Sequence, residues 1–373
     1  MAEQSTLTQP LTGPGTGIKF SKSDRKDFYT TIKKRVDAYF IETNQSRKAN
    51  TRMIVKTTFI LSIFALSYLL VISNWFSPGM MLFLAIVHGF FAALIGLNVT
   101  HDAMHGAYSD KPKVNHRIGL FFNMIGANDY MWKISHNVLH HTFTNVAEHD
   151  ADIDQLPLLR MNTKQDLWWV HRFQHIYVFF FYSLTTIAWV FLRDFAEFFH
   201  PKVNGAKRTK TPVREFGRML MYKCIYYAVF VAVPFIVIDL SWQQILLGFV
   251  IMHLVEGVTL ALVFQLAHIV EGTSFPLPDH QGTLESSWAA HQMQTTADFA
   301  CENGFANYIF GGLNFQIEHH LFPSICHVHY RALAPIVRKT AAEFDLPYHE
   351  HKTYFGALAS HVQTLKEFGH GKK

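Results

Sequence analysis

Long apolar stretches, rather than an alternation of apolar and polar positions, dominate the chain. Four of them carry no more than one charged residue each: residues 53–73, 79–99, 219–238 and 242–267. Each is close to the roughly 20 residues that an α-helix needs to cross a bilayer. The second run and the fourth run are each followed by a long segment rich in histidine. The pattern therefore predicts an all-α integral membrane protein with four transmembrane helices.

The sequence on either side of these runs is more polar. Residues 1–20, rich in Thr, Gly, Pro and Gln, are expected to form a disordered tail. Residues 21–52 are interpreted as a cytoplasmic amphipathic region, because apolar side chains recur there at helical spacing among many charges, which predicts an interfacial helix on the membrane. These apolar positions are Phe28, Ile32, Val36, Tyr39 and Phe40. Residues 53–330 are expected to form the membrane domain, and residues 331–373 a cytoplasmic C-terminal region.

Composition narrows the choice of partners and compartment. The net charge is only +5, and the basic residues lie beside the apolar runs instead of forming one stripe, so nucleic acid is not expected as a partner. The three cysteines, Cys224, Cys301 and Cys326, are scattered and suggest neither a disulfide framework nor a cysteine metal site. No cleavage site for a secretory signal peptide precedes the first run.

Histidines are concentrated in three short motifs, HDAMH, HNVLHH and QIEHH, with one further histidine at the end of the last apolar run. A spacing of four residues places two imidazoles on the same face of a helix. Seven or eight imidazoles without a cysteine cluster exceed what one structural or catalytic zinc ion takes, so two metal ions are predicted. Nitrogen ligands alone leave iron, copper, nickel and zinc as alternatives. The candidate ligands are His101, His105, His136, His140, His141, His268, His319 and His320.

These motifs constrain the membrane topology. The segment 193–218 contains seven Lys or Arg residues, which places it and the N-terminus in the cytoplasm. A fifth apolar run, residues 174–192, has charged flanks. The histidine motifs share one face only if an even number of crossings separates them, so this run is predicted to lie in the interface or to re-enter. Residues 106–172 and 268–373 would then form a cytoplasmic helical cap that holds the metal site.

Acidic and amide side chains near the motifs are candidates for supporting roles. Histidine ligands usually donate their second ring N–H to a carboxylate or carbonyl, and Asp102 and Glu318 each lie next to a candidate ligand. The series Asp150, Asp152 and Asp154 could serve similarly or could simply be surface charge.

Three further ionisable residues stand apart from the motifs. His253 and Glu256 lie inside the last apolar run, where ionisable groups are costly, and could pair across one helical turn as a structural pair or as part of a substrate cavity. His291 has no comparable argument and its role stays open.

The three motifs, in this order and around these runs, resemble those of the membrane fatty acid desaturases. WAAHQMQTTADF followed by NFQIEHHLFP is similar to the front-end branch, whose third motif begins with Gln, here Gln316. The resemblance covers residues 98–330. It implies that the eight histidines hold two iron ions and that O2 is the co-substrate. Gln316 takes a position where other branches have a ligand, and we expect it to hydrogen-bond a bound water or a ring nitrogen.

The same resemblance implies insertion of a cis double bond into a fatty acyl chain, carried by coenzyme A or by a lipid. No HPGG motif of a fused cytochrome b5 domain occurs at either end, so the electron donor is expected to be a separate protein such as a ferredoxin or a cytochrome b5-like protein. A membrane hydroxylase with the same metal site is the closest alternative. A histidine-rich metal transporter is disfavoured, because its ligands would lie in the middle of several spans.

Overall fold

A computed structural model of the chain describes residues 17–21, 26–154, 156–199, 202–203, 206–207 and 213–373. It is largely helical, with six strands of two or three residues. The helices are α1 (Lys26–Glu42), α2 (Thr51–Ile72), α3 (Pro78–Met104), α4 (Pro112–Gly119), α5 (Phe121–Met124), α6 (residues 129–143), α7 (Trp169–Ser183), α8 (Thr185–Phe199), α9 (Val213–Val237), α10 (Trp242–Gln265), α11 (Trp288–Thr295), α12 (Gly304–Ile309), α13 (Gln316–Leu321), α14 (Tyr330–Glu343) and α15 (Tyr354–Gly369).

Four of the described helices, α2, α3, α9 and α10, are long and apolar enough to cross a membrane. They coincide with the four predicted runs to within a few residues, apart from the ends of α3 and α9, which extend further into the flanking polar sequence. The fifth apolar run forms the pair α7 and α8, which bend by 55° at Leu184. Because the bend interrupts the run, this pair is either a broken span or a re-entrant segment, and its predicted interfacial position stays a prediction.

Close packing between α3 and α10 forms the centre of the bundle. Gly89 on α3 lies so near to α10 that a Cβ atom there would be 2.2 Å from the carbonyl oxygen of Met252. Gly257 on α10 similarly faces the carbonyl of Ser183, at 2.5 Å, where α7 ends. Small residues at such positions let helix backbones approach closely, which is a common basis of helix association in membranes.

Helix α1 is amphipathic, as predicted, but its apolar face does not lie against a membrane. Phe28, Ile32, Val36 and Phe40 are buried in a cluster that α11, α13 and α14 complete. Arg35 strengthens the contact, since it forms an ion pair with Glu343 on α14 at 2.6 Å. Spacing along the sequence showed which face is apolar and could not show that the protein itself covers this face.

The described residues include six short strands: β1 (Lys19–Phe20), β2 (Lys202–Val203), β3 (Ala206–Lys207), β4 (Thr283–Leu284), β5 (Ala297–Phe299) and β6 (His349–His351). Strands β2 and β3 form a local antiparallel pair, whereas the other four join segments that are distant in sequence. Strands β1 and β4 pair in parallel, as do β5 and β6. Lys19 and Phe20 therefore differ from the predicted disordered tail, of which residues 1–16 lie outside the described residues. The segment after residue 330 also packs on the rest of the protein, because β6 adds to β5 and α15 packs against α7.

The close approach of α3 and α10 yields a stability prediction. Gly89→Ala places a methyl group 2.2 Å from the Met252 carbonyl oxygen and forces the two helices apart. Overpacking of this kind destabilises by about 1–3 kcal/mol, and we expect a lower thermal unfolding midpoint of the detergent-solubilised protein, followed by tryptophan fluorescence.

Gly248→Ala on α10 is the matched control, because no atom lies within 4 Å of the added methyl group. Alanine favours a helix over glycine by up to about 1 kcal/mol, so this variant should be as stable as the unmodified protein or slightly more so. Equal midpoints for the two variants would contradict the assigned helix contact.

Candidate metal centre

The membrane helices and the cap bring the three histidine motifs to one place. His101 and His105 lie at the end of α3, directly after a π-helical stretch, Ile95–Thr100. A second π-helical stretch, Lys133–His140, carries most of the second motif on α6. The wider π turn changes which side chains share a face, and such turns are frequent at functional sites. The third motif forms the short helix α13.

Two imidazole clusters result. In the first, the ring nitrogens of four histidines lie within 4.8 Å of one another: His101, His105, His136 and His319. In the second, His140, His268 and His320 satisfy the same criterion. His141 lies between the two clusters, because it forms a group of the same kind with His319 of the first cluster and His320 of the second. All eight predicted histidines therefore converge, and each is buried except the half-buried His105.

Unpartnered ring nitrogens show that these clusters fit metal ions. The Nε2 atoms of His101, His105, His136 and His140 are buried without a hydrogen-bond partner, as is Nδ1 of His141. Buried polar atoms are normally paired, so five orphaned acceptors in one place call for an explanation. Imidazole nitrogens are also common ligands of iron, copper and zinc, and a metal ion at each cluster would satisfy them.

Burial keeps the rings of the clusters in the form that binds metal. It lowers the pKa of His136, His319 and His320 well below the usual range, and the neighbouring imidazoles lower it further. A neutral imidazole has a free lone pair, which metal binding requires.

His140 behaves differently because a carboxylate lies beside it. Its Nδ1 is 3.0 Å from Oδ2 of Asp150, which is also buried. Burial alone would lower the pKa of His140, but the charge of Asp150 outweighs it and raises the pKa to about 9. The Nδ1–H is thereby fixed toward Asp150, and a metal ion at Nε2 would displace the second proton that the raised pKa otherwise keeps on this ring. Of the aspartate series considered from the sequence, Asp150 makes this contact, while Asp152 lies 3.5 Å from the same ring nitrogen.

Other rings are held by groups that the sequence did not single out. Nδ1 of His320 lies 2.7 Å from the amide oxygen of Gln292, and Nδ1 of His268 lies 3.2 Å from the carbonyl oxygen of Thr295. The residues Gln292 and Thr295 belong to α11. Their sequence stretch, WAAHQMQTTADF, carries part of the family resemblance, but its amide and hydroxyl side chains give no metal-ligand signal of their own.

Gln316 lies inside the second cluster. Its amide nitrogen is 2.9 Å from Nε2 of His268 and 3.3 Å from Nε2 of His320. The Gln316 side chain thus contacts ring nitrogens directly, which is one of the two roles expected for it at a position where other branches have a metal ligand. Its amide oxygen has no hydrogen-bond partner.

Asp102 and Glu318 lie elsewhere than expected. Within the described part of the chain, neither carboxylate hydrogen-bonds to one of the eight histidines. Asp102 instead lies 2.8 Å from Nδ1 of His327 and accepts from the thiol of Cys326. Glu318 points behind α13, where it accepts a hydrogen bond from Tyr348. Adjacency in sequence failed as a guide, because successive side chains on a helix point about 100° apart.

Glu318 belongs to a buried carboxyl pair that supports α13. The Tyr348 hydroxyl contacts Asp298 at 2.6 Å as well as Glu318 at 3.0 Å. Burial and the proximity of Asp298 raise the pKa of Glu318 well above its usual range, and burial raises that of Asp298 to about 6. Asp298 also accepts the backbone N–H of Ile317. The pair therefore anchors the helix that carries His319 and His320.

The other singled-out residues lie outside the two clusters. Nδ1 of His253 is 2.9 Å from the Thr186 hydroxyl and 3.4 Å from Glu256, and its Nε2 is 2.8 Å from the Tyr226 hydroxyl. This buried network links α8, α9 and α10 and shares no residue with the metal centre. His291 is buried against Phe20 and belongs to no group of metal-binding side chains among the described residues.

A narrow cavity of about 60 Å³ opens beside the first cluster and reaches His136. Half of its lining residues are aromatic or apolar, including Trp132, Trp189 and Phe264, and the other half are polar. Trp132 also stacks on His136, with 4.2 Å between the ring centroids. A ligand in this cavity would therefore lie next to the imidazoles.

Apolar helices beneath two imidazole clusters that can hold metal define the class of membrane histidine-box proteins. The sequence profile of the fatty acid desaturases matches residues 43–352. An acyl-lipid (8-3)-desaturase of Physcomitrium patens is 37% identical over 94% of this chain and 74% of its own length. An sn-1 linoleoyl-lipid 6-desaturase of Arthrospira platensis is 35% identical over 96% of each chain.

A further sn-1 linoleoyl-lipid 6-desaturase, from a Synechocystis strain, is 32% identical over 94% of this chain and 98% of its own length. The chain belongs to the fatty acid desaturase family. It is an oxidoreductase that desaturates fatty acyl chains, and the resemblance found from the histidine motifs is confirmed.

The contact between His140 and Asp150 predicts how metal binding depends on a residue outside the clusters. Asp150→Asn keeps the shape and one acceptor oxygen but removes the charge. Loss of such an outer partner typically weakens metal binding about 10–100-fold, and we expect a matching fall in iron affinity, measured by elemental analysis after dialysis against graded chelator concentrations.

Glu148→Gln is the control for this measurement. Glu148 lies in the same loop and is exposed, with only a surface ion pair to Lys164. Its replacement should leave iron binding unchanged. Undiminished iron affinity in Asp150→Asn would refute the role assigned to the carboxylate.

Proposed function

We propose that the enzyme inserts a cis double bond into a fatty acyl chain of a membrane lipid, with two iron ions held by the eight histidines and O2 as co-substrate. The observation that carries the proposal is the pair of buried imidazole clusters, which meet at His319 and His320. The relatives described above are named as acyl-lipid or linoleoyl-lipid desaturases. Their names favour a lipid-linked acyl chain over acyl-coenzyme A as the substrate.

The metal pair would supply the oxidising power needed to break an unactivated C–H bond, which acid and base side chains cannot do. The protein's part is to hold the ions and fix the rings. His101, His105, His136 and His319 would serve one ion. His140, His268 and His320 would serve the other, and His141 lies between them.

The cavity beside His136 would receive the acyl chain. The aromatic side of the cavity, formed by Trp132, Trp189 and Phe264, would contact the hydrocarbon chain beside His136, while the charged residues lie on its remaining walls. Since the reaction must occur at one C–C bond, a narrow cavity that fixes the chain against the site is what regioselectivity requires.

The site is assigned to the cytoplasmic face. The basic segment between α8 and α9 supports this orientation through the positive-inside rule. His101 and His268 lie at the ends of α3 and α10 that must share one face, so the proposed topology has four crossings with both termini in the cytoplasm. The electron donor is proposed to be a separate protein.

Expression of the chain tests the proposed reaction. Gas chromatography with mass spectrometry of total fatty acids should show a new unsaturated acid. The acid should be absent from His140→Ala and vector controls, because that variant removes a candidate ligand. His280→Ala, which alters an exposed loop histidine, should keep the product. A hydroxylated acid instead of an unsaturated one would move the assignment to a hydroxylase.

The cavity gives a separate prediction. Ala261 lines it on α10, and Ala261→Leu should fill part of the space. We expect at least a roughly tenfold loss of product with unchanged iron content, because the chain can no longer seat against the site. Trp242→Phe, an exposed change on the same helix and outside the cavity lining, serves as control. Normal conversion by Ala261→Leu would exclude this cavity as the acyl site.

A further inference from the structure

A series of aromatic side chains connects the surface of the cap to the metal centre. It begins at Tyr29, a half-buried residue on α1. The Tyr29 ring packs edge-to-face on Trp288, with 5.4 Å between centroids, and stacks on Phe322 at 6.2 Å. One partly exposed ring thus contacts two aromatic side chains that lead inward.

Both branches end at adjacent histidines of the metal centre. On one branch, the Trp288 indole N–H donates to the carbonyl oxygen of His141 at 3.1 Å. On the other, the Tyr330 hydroxyl lies 3.4 Å from the Phe322 carbonyl oxygen and 3.3 Å from Nδ1 of His319.

The ends of the two branches are themselves in contact, because the Nε2 atoms of His141 and His319 are 3.0 Å apart. His319 belongs to the first cluster, and both residues group with His320 of the second. A carrier at Tyr29 would therefore reach both clusters through a short, continuous path of packed groups.

We propose that Tyr29 is the point of electron entry, with Trp288 and the Phe322–Tyr330 contact bridging to His141 and His319. The inference rests on the proposed function. Desaturation of one bond removes two hydrogen atoms from the chain, and two one-electron carriers each lose one electron. With two protons from solvent, these reduce one O2 to two waters. The aromatic groups are bridges and are not themselves oxidised or reduced.

The charges around Tyr29 indicate the kind of carrier. Lys33 lies one helical turn after Tyr29 and is exposed, as is the adjacent Lys34. Asp27 and Glu285 are the exposed acids closest in sequence to Tyr29 and Trp288. The two acids equal the lysines in number, but Lys33 and Lys34 are adjacent, whereas the acids lie on different segments. The lysine pair would contact an acidic carrier, which we take to be of the ferredoxin type.

The cavity side of the centre is a poorer entrance for such a carrier. Three carboxylates line the cavity there, from Asp152, Asp194 and Glu197, with one arginine, Arg193. Glu197 pairs with Arg193 and Asp194 with Lys223, so these charges offset one another and do not attract an acidic protein. Electron entry through α1 also leaves the acyl cavity free for substrate.

The route is tested by comparing two reductants. Under anaerobic stopped flow, iron-loaded protein is mixed with a reduced plant-type [2Fe–2S] ferredoxin or with dithionite, which is small enough to need no docking site. Tyr29→Leu should slow reduction by ferredoxin at least about tenfold, because it removes the bridging ring, and dithionite reduction should change less than about twofold. Tyr29→Phe, which keeps the ring, should restore the ferredoxin rate.

Equal slowing with both reductants would mean that Tyr29 only supports the structure, and no slowing with ferredoxin would mean that electrons enter elsewhere. Either result overturns the proposal. Failure of the proposed desaturation is recognised separately, because the unmodified protein would then form no unsaturated acid in the expression experiment.

Docking is tested on metal-free protein, which keeps the readout independent of turnover. Lys33→Glu combined with Lys34→Glu should weaken ferredoxin binding at least about tenfold at low salt, and the difference should shrink at high salt. Lys366→Glu, an exposed reversal on α15, should bind as the unmodified protein does. Unchanged binding by the α1 variant, or equal weakening in the control, would rule out this surface.

Discussion

The burial of eight imidazoles within a few ångströms of one another is the constraint on which the rest of the structure depends. A buried ring nitrogen without a partner is unfavourable by roughly 1–3 kcal/mol, and five such nitrogens lie in this site. The fold holds them in place through groups that bind the opposite ring nitrogen, such as Asp150 and Gln292. A metal ion at each cluster would provide these nitrogens with the partner that the protein itself does not supply.

Rigid support of the rings explains features that would otherwise look unrelated. The two π-helical stretches re-aim the first and second motifs without breaking their helices. The carboxyl pair of Asp298 and Glu318 holds α13 from behind. Helix α1 packs its apolar face on α13 and α14, and it thereby covers the third motif and brings Tyr29 close to the site.

Sequence spacing predicted much of the site for a physical reason. A repeat of four residues places two side chains on one face of an α-helix, so the pairing of imidazoles within the first two motifs could be expected from spacing alone. The apolar runs likewise predict the four candidate spans, because a helix that crosses a bilayer needs a continuous apolar stretch of about 20 residues. His268 required one more step, the argument that the ends of two spans must lie on one face.

Only the tertiary structure decided which groups support the ligands. Asp102 and Glu318 are sequence neighbours of candidate ligands, yet they bind His327 and Tyr348, whereas Gln292 approaches His320 from 28 residues away. The sequence by itself therefore determined the spans, the histidine set and the chemistry to expect. Local periodicity does not encode long-range packing. It therefore could not show the partners of the ligand side chains, the burial of the apolar face of α1 against the rest of the protein, or the course of the aromatic path.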